Sequence, residues 1–222
     1  MMDEATLRAS IVDCGRRMNA IGINQGRSGN VSARSSDGFL ITPSAMAYET
    51  MRPADIVRVR ADGSAEGSAV PSTEWRLHRD IYGARPEAGA IVHAHAMFAT
   101  TLACLERSIP AFHYMVAVAG GHDIRCAPYA TFGTQALSDL AIRALEGRAA
   151  CLHAQHGMTV FGPTVEATLG LAVEVETLAA MYFRALQLGE PRILSGAEMD
   201  EVLQKFSIYG RSESKEIPRK RP

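Results

Sequence analysis

The sequence contains no lysine before Lys205, which excludes a lysine Schiff base as the catalytic group over most of the chain. The cysteines lie far apart and form no CxxC pair, so the sequence contains neither a zinc-knuckle motif nor a thioredoxin-like motif. There is no apolar run of transmembrane length, and the acidic start MMDEATLRAS differs from a secretory signal peptide. We therefore expect a cytoplasmic protein with free, buried thiols at Cys14, Cys104, Cys126 and Cys151.

The charged residues nearly balance, and the formal net charge of -1 leaves no broad basic field that would indicate nucleic acid as a partner. With 47% hydrophobic and 21% charged residues in 222, the composition is typical of a folded globular protein with a substantial core. Neither nucleic acid nor a membrane is predicted as a partner. We expect one domain over residues 1–210 and a polar, frayed tail over residues 211–222.

Helical and strand periodicities alternate along the chain and indicate a layered α/β domain. Helices are predicted over residues 6–23, from the Pro71 segment to about Gly83, near 98–106, around 134–147 and from 164 to about 188. Strands are predicted over residues 30–33, 39–42, 56–60, 90–95, 114–118, 150–153 and 158–161.

The strongest chemical signal is the pair His93 and His95 at the end of the apolar segment that contains Ile91 and Val92. Residues two apart on a strand project from the same face, about 7 Å apart, so two imidazoles there can converge on one ion. The ends of buried strands are also where α/β folds place active sites. Taken alone, however, an HxH pair is more often a pair of hydrogen-bonded core histidines, and its position at a strand end only makes the two interpretations equal.

His156 and Glu74 are the candidate partners of this pair. His156 lies in a turn before Gly157, which would let the backbone approach a ligand closely, although an isolated turn histidine is more often merely solvated. A third imidazole would complete a three-nitrogen site with one open position, as in catalytic zinc sites. Glu74, expected in the first turn of a helix, is a candidate acid/base and weak metal ligand, but stabilisation of the helix dipole would account for it as well.

Two segments rich in glycine and hydroxyl residues, 26–30 and 42–45, could offer backbone amides and hydroxyls to a phosphate together with Ser72 and Thr73. Neither segment is a Walker loop or a GxGxxG fingerprint. Each segment taken singly is explained as an ordinary turn that binds nothing.

Six motifs, in this order, resemble the class II aldolase and adducin family: GRSGNVSAR, ITPSA, PSTEWRLH, IVHAHAMFA, HYMVAVAGG and AQHGM. The resemblance extends from about Arg17 to Gly210 and is greatest to the branch that cleaves L-fuculose 1-phosphate. Six ordered motifs are far more specific than any one of them. The resemblance implies a single-domain, three-layer α/β/α fold with a central, largely antiparallel sheet.

The resemblance also implies a site. His93, His95 and His156 correspond to zinc ligands, with one ion per subunit, and Mn²⁺ or Co²⁺ would suit the same donors. Glu74 corresponds to the catalytic glutamate, which also contacts the metal. The positions that correspond to phosphate-binding residues are Gly29, Asn30, Ser44, Ala45, Ser72 and Thr73.

Two tyrosines complete the implied site. Tyr114 corresponds to a tyrosine that reaches the active site of a neighbouring subunit and assists protonation of the aldehyde oxygen. Tyr209 resembles a second tyrosine, which the C-terminal segment contributes. The resemblance therefore implies a homotetramer with active sites at its subunit interfaces.

The sequence departs from the family pattern at two places. Ala45 stands where these aldolases commonly have glycine in the TPSG or TPTG turn, which affects the fit of the phosphate loop. The segment HAQHG replaces the more usual ANHG but keeps the histidine and the glycine.

The implied reaction is reversible retro-aldol cleavage of a ketose 1-phosphate to dihydroxyacetone phosphate and an aldehyde. L-fuculose 1-phosphate and the related 5-deoxypentulose or methylthioribulose 1-phosphates are the candidate substrates. Ribulose-5-phosphate 4-epimerases and sugar-acid phosphate decarboxylases of the same superfamily are alternatives. A non-catalytic adducin-like module is disfavoured, because such modules lose the metal ligands that this chain keeps.

Overall fold

The computed structural model describes residues 3–209, with the backbone alone at Tyr209. The side chain of Tyr209 and the predicted tail at 211–222 lie outside the described residues. The helices are α1 Glu4–Ala20, α2 Trp75–Ala84, α3 Met97–Cys104, α4 Gln135–Ala144, α5 Val165–Leu188 and α6 Gly196–Tyr209. Two 3-10 helices span Pro53–Asp55 and Tyr114–Ala119.

The strands are β1 Asn30–Ser35, β2 Gly38–Ile41, β3 Val57–Arg60, β4 Ala65–Glu66, β5 Ala90–Ala94, β6 Arg125–Ala127, β7 Ala150–His153 and β8 Gly157–Gly162. They form one sheet in the order β4-β3-β2-β1-β5-β8-β7-β6. Among the described strands, β6 and β7 pair in parallel and every other neighbouring pair is antiparallel.

Successive side chains of each strand point to opposite faces of the sheet, so the sheet separates two hydrophobic cores. Val31, Val92 and Val160 face a core shared with α1, α3 and α5, whereas Ile91 and Phe161 face a core shared with α2 and α4. Helices therefore cover both faces of the sheet. The predicted three-layer α/β/α fold with a largely antiparallel sheet is confirmed.

Several helix ends follow from local sequence. The Thr134 hydroxyl accepts a hydrogen bond from the Leu137 amide at 3.3 Å at the start of α4, and Thr164 caps α5 through the Ala167 amide at 3.2 Å. Gly189 ends α5. None of the helices in residues 3–209 combines the length and apolarity needed to cross a membrane.

The prediction of a strand over residues 114–118 is wrong. The segment Tyr114–Ala119 is a 3-10 helix, capped by the His113 side chain, which accepts from the Met115 amide at 3.3 Å. Gly120, in the left-handed region at φ +93, ends it. A short apolar run is ambiguous between strand and buried helix, and here packing against α5 and α6 decides in favour of the helix.

Candidate active site

Strand pairing aligns polar residues from three neighbouring strands in one row. Asn30 of β1 lies opposite His93 of β5, and His93 lies opposite Thr159 of β8. All three are buried on the sheet face that α2 covers. A polar row in an otherwise apolar layer marks this end of the sheet as a site.

Three imidazoles meet at the end of this row, as predicted. His93 belongs to β5, His95 follows that strand directly, and His156 comes from the turn between β7 and β8. One nitrogen of each ring lies within 4.8 Å of those of the others. The Nε2 atoms of His93 and His95 are 3.2 Å apart.

Glu74 enters the cluster from the start of α2, but not as predicted. It occupies the N-cap position and not the first turn, and its side chain makes no cap hydrogen bond. The carboxylate turns into the site instead, with Oε2 3.2 Å from His93 Nε2 and Oε1 3.5 Å from His156 Nε2. The Ser72 hydroxyl accepts from the Glu74 amide at 3.3 Å. Stabilisation of the helix dipole alone therefore does not explain this glutamate.

Burial controls the charge states of these groups. It lowers the pKa of His93 well below the usual histidine range, with further lowering by His156 and His95, and it lowers the pKa of His95 as well. Burial also lowers the pKa of His156, which Glu74 partly opposes, and raises the pKa of Glu74. At neutral pH the imidazoles are uncharged, which is the form that binds metals.

The donor set fits a divalent metal ion. Three neutral imidazoles leave a coordination position open, and the Glu74 atom Oε1 is buried without a hydrogen-bond partner among the described residues. An unpartnered carboxylate oxygen within a cluster of imidazole nitrogens is costly unless a cation joins it. His93, His95 and His156, with Glu74 beside them, can therefore hold such an ion.

Sequence reasoning missed the residues that orient His93. Its Nδ1 lies 3.2 Å from the Thr159 hydroxyl, which in turn lies 2.8 Å from Nε2 of the fully buried His153. Metal-binding histidines commonly use their second nitrogen in this way. A histidine within the apolar segment ACLH was a visible signal for His153, whereas Thr159 is identified only by strand pairing.

Gly157 makes two close contacts that a side chain would block. A Cβ atom there would lie 2.6 Å from the Ala94 carbonyl oxygen and 3.1 Å from the His95 ring. The glycine thus permits the close approach of β8 to β5 and to the His95 ring. This packing holds the His156 turn against His95.

A cavity of about 300 Å³ opens in front of the cluster. Glu74, His95 and His156 line it, and so do the predicted phosphate-binding residues Gly29, Asn30, Ser44, Ala45, Ser72 and Thr73. The structure therefore brings both predicted loops and the start of α2 to the predicted metal ligands. A larger groove of about 720 Å³ lies between α1 and the start of α5, but its described lining residues include no histidine.

Two details modify the predicted phosphate loops. Ala45 adopts the left-handed region at φ 56, so it keeps the backbone shape that a glycine would take there. Arg27, whose side chain was not singled out from the sequence, also lines the cavity and donates to the Ala45 carbonyl at 3.3 Å. Among residues 3–209, it is the one lysine or arginine in the cavity lining.

Tyr114 does not line this cavity. It lies on the 3-10 helix, 48% exposed, with its ring centroid 6.4 Å from that of Phe206 in α6. A role for Tyr114 in catalysis would therefore have to be at another subunit's cavity, and that role stays a prediction.

Comparison with known proteins identifies the family to which the chain belongs. Residues 9–183 match the class II aldolase and adducin N-terminal domain. The chain belongs to the class II aldolase and adducin family. It is 54% identical to a 5-methylthioribulose-1-phosphate/5-deoxyribulose-1-phosphate aldolase of Rhodospirillum rubrum, over 92% of each chain. It is 45% identical to an L-fuculose phosphate aldolase of Escherichia coli, over 94% of this chain and 98% of that one.

Among solved structures of the family, an L-fuculose 1-phosphate aldolase superposes with a TM-score of 0.88 at 36% identity, covering 91% of this chain and 96% of that one. Both curated relatives are named as aldolases and align over nearly their whole length. The chain is thus an enzyme of the class II aldolase type, an aldehyde-lyase.

Proposed function

We propose that this class II aldolase is zinc-dependent and reversibly cleaves a ketose 1-phosphate into dihydroxyacetone phosphate and an aldehyde. One observation carries the proposal: a single cavity is lined by Glu74, by His95 and His156 of the histidine cluster, and by the loops suited to a phosphate. The names of the relatives favour 5-methylthioribulose 1-phosphate, 5-deoxyribulose 1-phosphate or L-fuculose 1-phosphate as the substrate.

Zinc is the proposed ion because three imidazoles with one open position are typical of catalytic zinc sites, and one ion per subunit is expected. Mn²⁺ and Co²⁺ suit the same donors. When bound, the ion supplies Lewis acidity that stabilises negative charge on the carbonyl oxygen of the substrate.

The phosphate of the substrate is proposed to lie between the two loops and the start of α2, at Gly29, Asn30, Ser44, Ala45, Ser72 and Thr73. Helix starts and turns of this kind present amides to anions. The Asn30 side chain, however, donates to Glu74 at 3.0 Å. We therefore assign Asn30 mainly to the glutamate, and assign the phosphate to the neighbouring amides and hydroxyls.

Glu74 is the proposed group that moves the proton. When the carbon–carbon bond breaks, the carbon next to the substrate carbonyl must gain a proton, and in the reverse direction a base must remove it. Burial raises the pKa of Glu74 above its usual value, which makes the carboxylate a stronger base than an exposed one. The hydroxyl that becomes the aldehyde oxygen loses its proton during cleavage. We propose that Tyr114 of a neighbouring subunit, assisted by Tyr209, accepts this proton and returns it in the reverse reaction.

This use of Tyr114 requires the proposed homotetramer with active sites at subunit interfaces. Its support is that Tyr114 is exposed and lies outside its own cavity. Light scattering of the active enzyme should give a mass of four chains, and an active monomer would contradict it. We also propose a cytoplasmic location, where free thiols stay reduced. Cys14 and Cys151 are buried as expected, Cys126 is half-buried, and the expectation of a buried thiol is wrong for Cys104, which is exposed.

The function is tested by incubating the zinc-loaded enzyme with a panel of ketose 1-phosphates and measuring dihydroxyacetone phosphate by a coupled assay. Release of this product with an aldehyde is expected. Formation of an epimeric sugar phosphate, or of carbon dioxide from a sugar-acid phosphate, would instead assign the chain to another branch of the superfamily.

The role of Glu74 is tested by Glu74→Gln, which keeps the side-chain shape and removes the transferable proton. We expect kcat to fall by about 10²- to 10⁴-fold while the melting temperature and zinc content change little. Asp80→Asn is the control, since Asp80 lies on the same helix but accepts from Ser138 of α4. Near-normal turnover of a folded, zinc-loaded Glu74→Gln enzyme would leave Glu74 without this role.

A further inference from the structure

A line of buried hydrogen bonds leads away from the Glu74 carboxylate. Asn30 Nδ2 donates to Glu74 Oε2 at 3.0 Å, and Asn30 Oδ1 lies 2.5 Å from His78 Nε2. His78 Nδ1 lies 2.6 Å from the Ser32 hydroxyl, which lies 2.8 Å from the Tyr82 hydroxyl. His78 and Ser32 are fully buried, and Tyr82 is 6% exposed.

The line forms because the spacing of residues along α2 nearly equals the spacing of residues along β1. Glu74, His78 and Tyr82 are four residues apart, so they form one stripe along α2 with a rise of about 6 Å between neighbours. Asn30 and Ser32 are two apart on β1, about 6.6 Å along the strand and on the same face. Because the two spacings nearly agree, helix and strand residues alternate in a single chain of contacts.

The carboxylate sets the direction of every bond in this chain. An ionised Glu74 only accepts, so Asn30 must turn its nitrogen to Glu74 and its oxygen to His78. His78 then carries its proton on Nε2, and its Nδ1 accepts from the Ser32 hydroxyl. Ser32 has thereby used its proton, so its oxygen accepts from the Tyr82 hydroxyl.

We infer that His78, Ser32 and Tyr82 are positioning residues that hold the Asn30 amide with its nitrogen toward Glu74, an inference that rests on the proposed role of Glu74. Without His78, the Asn30 oxygen would lose the donor that fixes it, and the amide plane could tilt away from the carboxylate. Burial lowers the pKa of His78 to about 3, so the ring stays neutral and keeps one donor and one acceptor nitrogen. Aligned hydrogen bonds of this kind also polarise one another toward the carboxylate.

Ser32→Ala and Tyr82→Phe test the chain at two points remote from the substrate. Each removes one hydroxyl, and Tyr82→Phe keeps the ring on which the Arg34 guanidinium stacks. We expect kcat to fall about tenfold with unchanged KM and zinc content, because the carboxylate is misoriented and the phosphate loops remain intact. Ser138→Ala is the matched control, since Ser138 is a fully buried serine whose hydroxyl donates to Asp80 at 2.7 Å.

A merely structural chain would lower stability in Ser32→Ala and Ser138→Ala alike and leave kcat unchanged in both, which would overturn the inference. A second readout needs no activity: nitrogen-15 NMR of the histidine rings in metal-free protein should show the His78 proton on Nε2. A proton on Nδ1 would reverse the chain and overturn the inference even if the enzyme is an aldolase. If no ketose 1-phosphate is cleaved, the proposed function fails, and the NMR result still decides the direction of the chain.

Discussion

Arg27 brings a positive charge to the cavity in which the substrate phosphate is proposed to bind. In the sequence it is one arginine in a glycine-rich segment, but in the structure it lines the cavity beside Ser44, Ala45 and Ser72. The other polar groups around the proposed phosphate position are neutral amides and hydroxyls, while Glu74 brings a negative charge nearby. A phosphate dianion is best held where a guanidinium offsets that charge.

Arg27→Gln should therefore weaken binding of the substrate and leave its chemistry intact. A hydrogen bond to a charged group contributes about 1.5–3 kcal/mol, so KM should rise roughly 10-fold or more at nearly unchanged kcat. Arg107→Gln removes the same charge from an exposed position outside the cavity and serves as the control. Equal KM values for the two variants would show that Arg27 does not contact the phosphate.

At the scale of single elements, the start of α3 depends on a residue from another helix. Ala96, at the N-cap position, provides no side-chain hydrogen bond. Glu176 of α5 replaces it, accepting from the Phe98 amide at 2.8 Å and from the Ala99 amide at 2.9 Å. Because α3 begins two residues after His95, this contact also steadies a candidate metal ligand.

Glu176→Gln should destabilise the protein by about 1–2 kcal/mol, because glutamine offers one acceptor oxygen where two amides need one each. Denaturant unfolding of the metal-free protein measures this loss, and chelator competition should show a weaker affinity for zinc. Glu174→Gln, which removes the same charge from a surface groove of α5, should change neither quantity. Identical unfolding curves for the two variants would contradict the capping role of Glu176.

At the scale of the whole molecule, the metal should stabilise the fold as well as serve the reaction. His93, His95 and His156 come from two separate parts of the chain, and an ion that they share binds the folded state alone. At a free zinc concentration about 1,000 times the dissociation constant, this linkage contributes roughly 4 kcal/mol.

Zinc should consequently raise the melting temperature of chelator-treated protein by on the order of 10 °C. Scanning calorimetry before and after reloading measures the shift, with His95→Ala as the variant that should not respond. A melting temperature indifferent to zinc, Mn²⁺ and Co²⁺ alike would remove the support for a metal site at these histidines.

Local sequence was sufficient wherever an element's own residues decide its conformation. The capped helices that begin after Thr134 and Thr164 lie where periodicity predicted them, because hydrogen bonds within a few residues specify a helix. Strand spacing indicated that His93 and His95 project from one face, but it did not by itself decide between a metal site and core histidines. The order of the six motifs indicated the family and grouped His156 and Glu74 with that pair. Local physics alone does not specify this grouping.

Contacts between distant segments decided the rest. The Tyr114 segment became a 3-10 helix through packing against α5 and α6, and the short strands β4 and β6 and helix α6 were not predicted, because their signals are weak without their partners. The support of His93 by Thr159, and the chain from Tyr82 through Ser32 to the glutamate, exist because strand register and the placement of α2 bring these residues together. Pairing across tens of residues leaves no local periodicity, so tertiary structure alone reveals it.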